Sequence, residues 1–173
     1  MSDVIKVAIV TASDGVTHGV RADASGDMIQ TMVEEVGCRT VIRVVVPDEV
    51  EQIERTLREL CGRSDIDWIA TTGGTGIGPR DVTPEATLRV IEKSLPGMAE
   101  AMRAESLRKT PFAMMSRQVV GISSGKLIVN LPGSPKAVQE CLAVVLPVIP
   151  HALALLRGHT EHTGEGQSQA PRN

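Results

Sequence analysis

Three short runs of apolar and β-branched residues, each followed by a polar loop and a helical pattern, limit the folds open to this chain. Val4 to Val10 (VIKVAIV), Thr40 to Val46 (TVIRVVV) and Trp68 to Thr72 (WIATT) read as strands buried on both faces. Between the first two, Met28, Ile29, Met32, Val33 and Val36 recur at helical spacing behind a Ser25 N-cap, and Gly37 is the stop. A second helix is expected from Asp48, with Val50, Ile53, Leu57 and Leu60 on one face and Glu51, Glu54, Arg55, Arg58 and Glu59 on the other. Thr83-Pro84-Glu85 opens a third, with Thr83 as cap and Pro84 at the first helical position. This alternation predicts an α/β fold: three layers, with a mostly parallel sheet flanked by helices.

The later chain is less regular. Pro96-Gly97 precedes a helix expected over Met98 to Leu107, and Gln118–Ile122 with Lys126–Asn130 predict a small β-hairpin through Ser123-Ser124-Gly125. A helix through Val138, Cys141, Leu142 and Val145 follows Pro132-Gly133-Ser134-Pro135, and His151 to Leu156 forms a last helical stretch. Residues 1–157 thus read as one domain, and the polar segment 158–173 as a flexible C-terminal tail.

Composition narrows the partners. Eighteen Lys and Arg against 21 Asp and Glu give a net charge of -3, so no basic field draws nucleic acid or an anionic membrane. Trp68 and Phe112 are the sole aromatics, too few for a base-stacking platform. Cys38, Cys61 and Cys141 form no CxxC pair and read as reduced thiols. The start of the sequence lacks a signal-peptide pattern, and apolar runs fall short of the ~20 residues of a membrane helix. A soluble, cytoplasmic protein is expected.

In an open parallel sheet, ligands bind beyond the carboxyl ends of the strands. Asp14, Asp48 and Asp81 follow the three strands there, beside Gly73-Gly74-Thr75-Gly76-Ile77-Gly78. This loop matches neither G-x-G-x-x-G nor a P-loop, since Pro79-Arg80 stands where lysine and a hydroxyl residue belong. Its glycines can still expose backbone N–H groups to an anion. Carboxylates beside such a loop suit Mg²⁺ and a nucleotide. Each aspartate also has a plainer reading. Asp48 can cap a helix with Glu51 as capping-box partner, Asp14 can bond its own loop, and Asp81 can complement a helix dipole. His18, His151, His159 and His162 show no zinc-like spacing with the cysteines.

Six motifs in order carry a resemblance: Val46-Pro47-Asp48-Glu49, Thr71 to Gly76, Pro79 to Ala86, Pro96-Gly97-Met98, Met115-Ser116-Arg117 and Asn130 to Ser134. Together they resemble the molybdopterin adenylyltransferase family, from about Val4 to Arg157, and Thr110 to Arg117 is similar to the gephyrin G-domain form. The resemblance implies a homotrimer that uses Mg²⁺ and ATP to adenylylate molybdopterin, releasing pyrophosphate, with a molybdenum-inserting protein as downstream partner. It implies catalytic roles for Asp48 and Asp81, and metal binding by Asp14, Asp48 and Asp81. It places Asp14, Gly73, Gly74, Thr75 and Gly76 around the nucleotide and its phosphates. Ser106, Ser116 and Ser134 match the molybdopterin pocket, although Ser134 often corresponds to asparagine and equally suits an N-cap before Pro135. Few basic residues lie near these motifs in sequence, so a metal is expected to offset much of the triphosphate charge. Two other classes fit the pattern: a molybdopterin-binding scaffold without turnover, and a flavodoxin-like electron carrier.

Overall fold

The computed structural model describes residues 4–159 of the 173. Six strands form one sheet: β1 (Lys6–Ala12), β2 (Arg39–Val46), β3 (Trp68–Thr72), β4 (Lys93–Ser94), β5 (Val120–Ser123) and β6 (Lys126–Leu131). Their order is β2-β1-β3-β6-β5-β4, with β2, β1, β3 and β6 parallel and β5 antiparallel to both β6 and β4. The helices are α1 (Asp14–Thr17), α2 (Ala24–Glu35), α3 (Val50–Cys61), α4 (Thr83–Leu88), α5 (Pro96–Leu107), α6 (Pro135–Val145) and α7 (Ile149–Leu156), with a 3₁₀ turn at Pro111–Met115.

Strand alternation divides the interior in two. Val7, Ile9, Trp68, Ala70, Leu127 and Val129 face one layer, where Ile29 and Val33 of α2 meet Val138, Leu142 and Val145 of α6. Ala8, Val10, Ile69 and Ile128 face the other, against Ile53, Leu57 and Leu60 of α3. Successive side chains point to opposite faces, so strands covered on both sides must be apolar throughout. The three-layer reading holds, and the expected β3 has the observed bounds.

Local differences have local causes. The α2 cap is Asp23, not Ser25: its carboxylate accepts from the Gly26 N–H (3.1 Å) and also takes Thr11 and Arg43, contacts invisible in a local pattern. Asp48 does not cap α3; that position is Glu49, which makes no side-chain cap bond. Thr83 lies inside α4 behind Val82. The hairpin turns on two residues, Ser124 and Gly125, both at positive φ (50° and 71°), so β5 extends through Ser123. Two-residue β4 is too short to leave a periodic signature.

Among the described residues no single helix is long and apolar enough to cross a membrane; α6 and α7 together are, but they are bent by 57° and pack into the core. The tail expected from Gly158 lies, from residue 160 onward, outside the described residues.

Candidate functional site

Connections from β1 and β3 leave toward opposite edges of the sheet, so a crevice opens between their carboxyl ends. A cavity of about 760 Å³ occupies it. One wall comes from the loops after β1, β2, β3 and β6, and includes Ser13, Asp48, Gly73 to Gly76, Asp81 and Gly133. A second wall comes from α5, the 3₁₀ turn with the segment after it, and α6, and includes Arg103, Ser106, Ser116, Gln118 and Cys141.

The first wall is tied together through its aspartates. The Asp14 N–H donates to Asp48 Oδ2 (2.9 Å), and the Asp48 N–H donates to Asp14 Oδ1 (3.0 Å), linking the loops after β1 and β2. Arg80 closes a fork on Asp14, with Nε to Oδ2 at 2.9 Å and Nη2 to Oδ1 at 3.0 Å. Those Arg80 bonds, then the Asp48 N–H, hold the Asp14 carboxyl below its ordinary range. Asp48 moves the other way: burial, reinforced by the negative charges of Asp14 and Asp81, raises its carboxyl. Both plainer readings, a cap for Asp48 and a self-bonded turn for Asp14, give way to this long-range pair. Asp81 Oδ2 accepts the Gly78 N–H at 2.8 Å, a turn contact ahead of α4.

The glycines follow from how closely these groups approach. Gly73 and Gly74 have φ of 91° and 64°, the left-handed region. A Cβ on Gly73 would lie 2.2 Å from the Ala12 carbonyl oxygen. On Gly74 it would lie 2.4 Å from Thr83 Oγ1 and 3.2 Å from Asp48 Oδ1. Asp81 Oδ2 lies against Gly76 and Gly78 in the same way. No acceptor among the described residues takes the amide hydrogens of Gly74, Thr75 and Gly76. The loop therefore offers free N–H groups between two carboxylates.

The expected three-aspartate metal set is not assembled. Among the described residues no group of three His, Cys, Asp or Glu is placed to hold a metal. Asp14 spends both oxygens on Arg80 and the Asp48 N–H, and it does not line the cavity. Asp48 and Asp81 line it, and each has one carboxylate oxygen, Oδ1, without a hydrogen-bond donor among the described residues. Such a pair fits Mg²⁺, which takes one or two carboxylates and completes its shell with water and substrate phosphates.

On the second wall, Ser106 Oγ lies 3.4 Å from Cys141 Sγ, while Ser116 Oγ is buried without a partner. Ser134 also lines the cavity, but its Oγ accepts the Ala137 N–H (3.2 Å) as the α6 cap. Sequence reasoning missed Arg21, Arg103 and Gln118. Both arginines line the cavity, so the site carries more positive charge than the motifs suggested. Arg103 stands three residues before Ser106 on α5, a same-face spacing that could have revealed it. Gln118 is 2% exposed with an unpartnered Oε1.

A family model described as "Probable molybdopterin binding domain" matches residues 8–151. The chain belongs to this molybdopterin-binding domain family. It is 41% identical over 170 residues to a molybdopterin adenylyltransferase of Helicobacter pylori, covering 97% of each chain. It is 42% identical over 160 residues to Dictyostelium discoideum gephyrin, covering 87% of this chain and 22% of that longer protein. The crystal structure of the molybdopterin biosynthesis enzyme MoaB from Thermus thermophilus superposes with a TM-score of 0.84 at 45% identity, covering 89% of this chain and 97% of that one. For this molybdopterin-binding family member the relatives' names point to molybdenum cofactor biosynthesis, and the electron-carrier reading loses its support. Trp68, fully buried in the sheet, offers no face to a flavin.

Proposed function

We propose that this chain adenylylates molybdopterin with MgATP. The phosphate oxygen of molybdopterin attacks the α-phosphorus of ATP, a new P–O–P bond forms, and the bond to the β-phosphate bridging oxygen breaks to release pyrophosphate. Nucleotidyl transfer depends chiefly on in-line placement and charge neutralisation. The free amides of Gly74, Thr75 and Gly76 serve the phosphates as fixed donors. Arg21, held by Ser13 at 3.0 Å, adds positive charge on the same wall. Asp48 and Asp81 would hold Mg²⁺, which supplies charge neutralisation on the triphosphate and the leaving pyrophosphate. Ser106 and Ser116 on the second wall bind the pterin, and Ser134, at the end of the loop after β6, acts through its backbone and its cap.

The observation that carries this reading is the pairing, within one cavity, of two carboxylates against a glycine loop with unused amides. The experiment is incubation of the protein with molybdopterin, ATP and Mg²⁺, followed by mass detection of adenylylated pterin and pyrophosphate. Product that forms only with all three reagents supports it; pterin binding without product makes the chain a carrier. The homotrimer and delivery of product to a molybdenum-inserting partner rest on the family resemblance, and light scattering tests the first; the cytoplasmic setting rests on the unpaired cysteines and the lack of a signal-peptide pattern. The division into a 1–157 domain and a 158–173 tail is likewise a proposal, tested by activity of a chain ending at Arg157.

A further inference from the structure

The segment Ser116-Arg117-Gln118 runs extended between the 3₁₀ turn and β5, so its side chains alternate in direction. Ser116 and Gln118 line the cavity, whereas Arg117 does not. Arg117 instead grips the glycine loop from behind. Its backbone N–H donates to the Thr75 carbonyl (2.8 Å), its Nε to the Gly76 carbonyl (2.7 Å) and its Nη2 to the Asp81 carbonyl (2.7 Å). Its Nη1 pairs with the Glu85 carboxylate in the first turn of α4. One side chain thus joins both ends of the 76–81 loop to the helix that follows. On the far side, Arg103 Nη1 takes the carbonyls of Ser116 (3.4 Å) and Gln118 (2.9 Å), anchoring the segment to α5.

We infer that Arg117 is a positioning residue that fixes the glycine loop, and Asp81 with it, for the nucleotide half of the reaction. The inference rests on the proposed adenylylation and goes beyond it. A loop with glycines at 74, 76 and 78 has many conformations to lose on binding. Two carbonyls and a carboxylate held by one planar fork remove most of that freedom beforehand. Lysine carries the charge but cannot satisfy three acceptors in those directions.

The test compares full-length wild type with Arg117→Lys and Arg117→Gln in four measurements: calorimetric MgATP binding, KM for each substrate, thermal midpoint and backbone hydrogen exchange. Positioning predicts MgATP affinity lower by about 10-fold in both variants, with KM for molybdopterin within about twofold. Hydrogen exchange at Gly78 and Asp81, whose amides are bonded within the loop, should quicken, and Lys should not rescue. Rescue by Lys, unchanged MgATP affinity, or equal loss of both ligands with a fallen thermal midpoint would overturn the inference alone. Wild-type protein that binds no MgATP would overturn the parent reading and this inference with it.

Discussion

Where β1, β2 and β3 end, the aspartates of the cavity wall are already fixed in place, while the Gly74, Thr75 and Gly76 amides stay open to a ligand. Asp14 and Asp48 exchange backbone bonds, Arg80 forks onto Asp14, and Asp81 caps its own turn at Gly78. The wall of α5, the 3₁₀ turn and α6 instead leaves Ser116 Oγ and Gln118 Oε1 buried and unpartnered. A buried polar group without a partner costs roughly 1–3 kcal/mol. The first wall is thus organised before any ligand arrives, as suits charged phosphates, whose stabilisation depends on donors that need not move. The second wall keeps hydrogen-bonding capacity in reserve, as suits recognition of a ring by its edge groups.

The largest expected effect breaks the first wall's chemistry and leaves its shape. Asp48→Asn and Asp81→Asn keep an acceptor oxygen for the Asp14 and Gly78 amides, so both should fold. Adenylylation should fall by about 10²–10³ in kcat. Near-normal turnover in both would remove the carboxylates from the mechanism. Gly74→Ala should come next, because its Cβ would strike Thr83 Oγ1 and crowd Asp48 at a positive φ. We expect roughly 1–3 kcal/mol of stability lost and MgATP binding weakened about tenfold, checked by denaturant titration and calorimetry.

The second wall should respond with the opposite sign of stability. Gln118→Leu or Ser116→Ala removes a buried unpartnered atom, so thermal stability should hold or rise by up to about 1 kcal/mol. Molybdopterin affinity should drop about tenfold with MgATP binding unchanged. Loss of stability in both variants would mean that those atoms are satisfied without ligand.

Asp48 gives a pH signature. Its carboxyl is raised above the ordinary 3.8 by burial and by the charges of Asp14 and Asp81. The folded state therefore binds its proton more tightly than the unfolded state does. That contribution to stability is full below 3.8 and is lost as pH rises through the raised value. Asp48→Asn should consequently be the more stable protein at neutral pH, by at most about 1 kcal/mol. The acid limb of kcat/KM should shift downward in Asp14→Asn, which removes one of the charges that raise Asp48. Smallest of all, Ser134→Ala should cost about 1 kcal/mol through the lost α6 cap, with catalysis near wild type. A large rise in KM for molybdopterin would instead make its hydroxyl a ligand.

The sequence was most legible where period and burial coincide. WIATT had to be a strand because all five positions are buried, and α3 showed its face because Ile53, Leu57 and Leu60 recur on one side. The glycine loop announced itself by composition, and the family motifs placed Asp48 and Asp81 on one wall. What stayed hidden depends on contacts between distant residues. Asp14 and Arg80 are separated by 66 positions, so the fork that takes Asp14 away from a metal has no local pattern. Asp23 displaced Ser25 as a cap because Thr11 and Arg43 converge on the same carboxylate. Arg21 and Arg103 entered the cavity from elements that no nucleotide motif marks.

The most direct measurement is a crossed calorimetric titration of wild type, Asp81→Asn and Gln118→Leu with MgATP and with molybdopterin. Division of labour between the walls predicts that Asp81→Asn loses MgATP and keeps the pterin, while Gln118→Leu does the reverse. Parallel loss of both ligands in each variant would show that the cavity binds one composite ligand through both walls, contrary to this account.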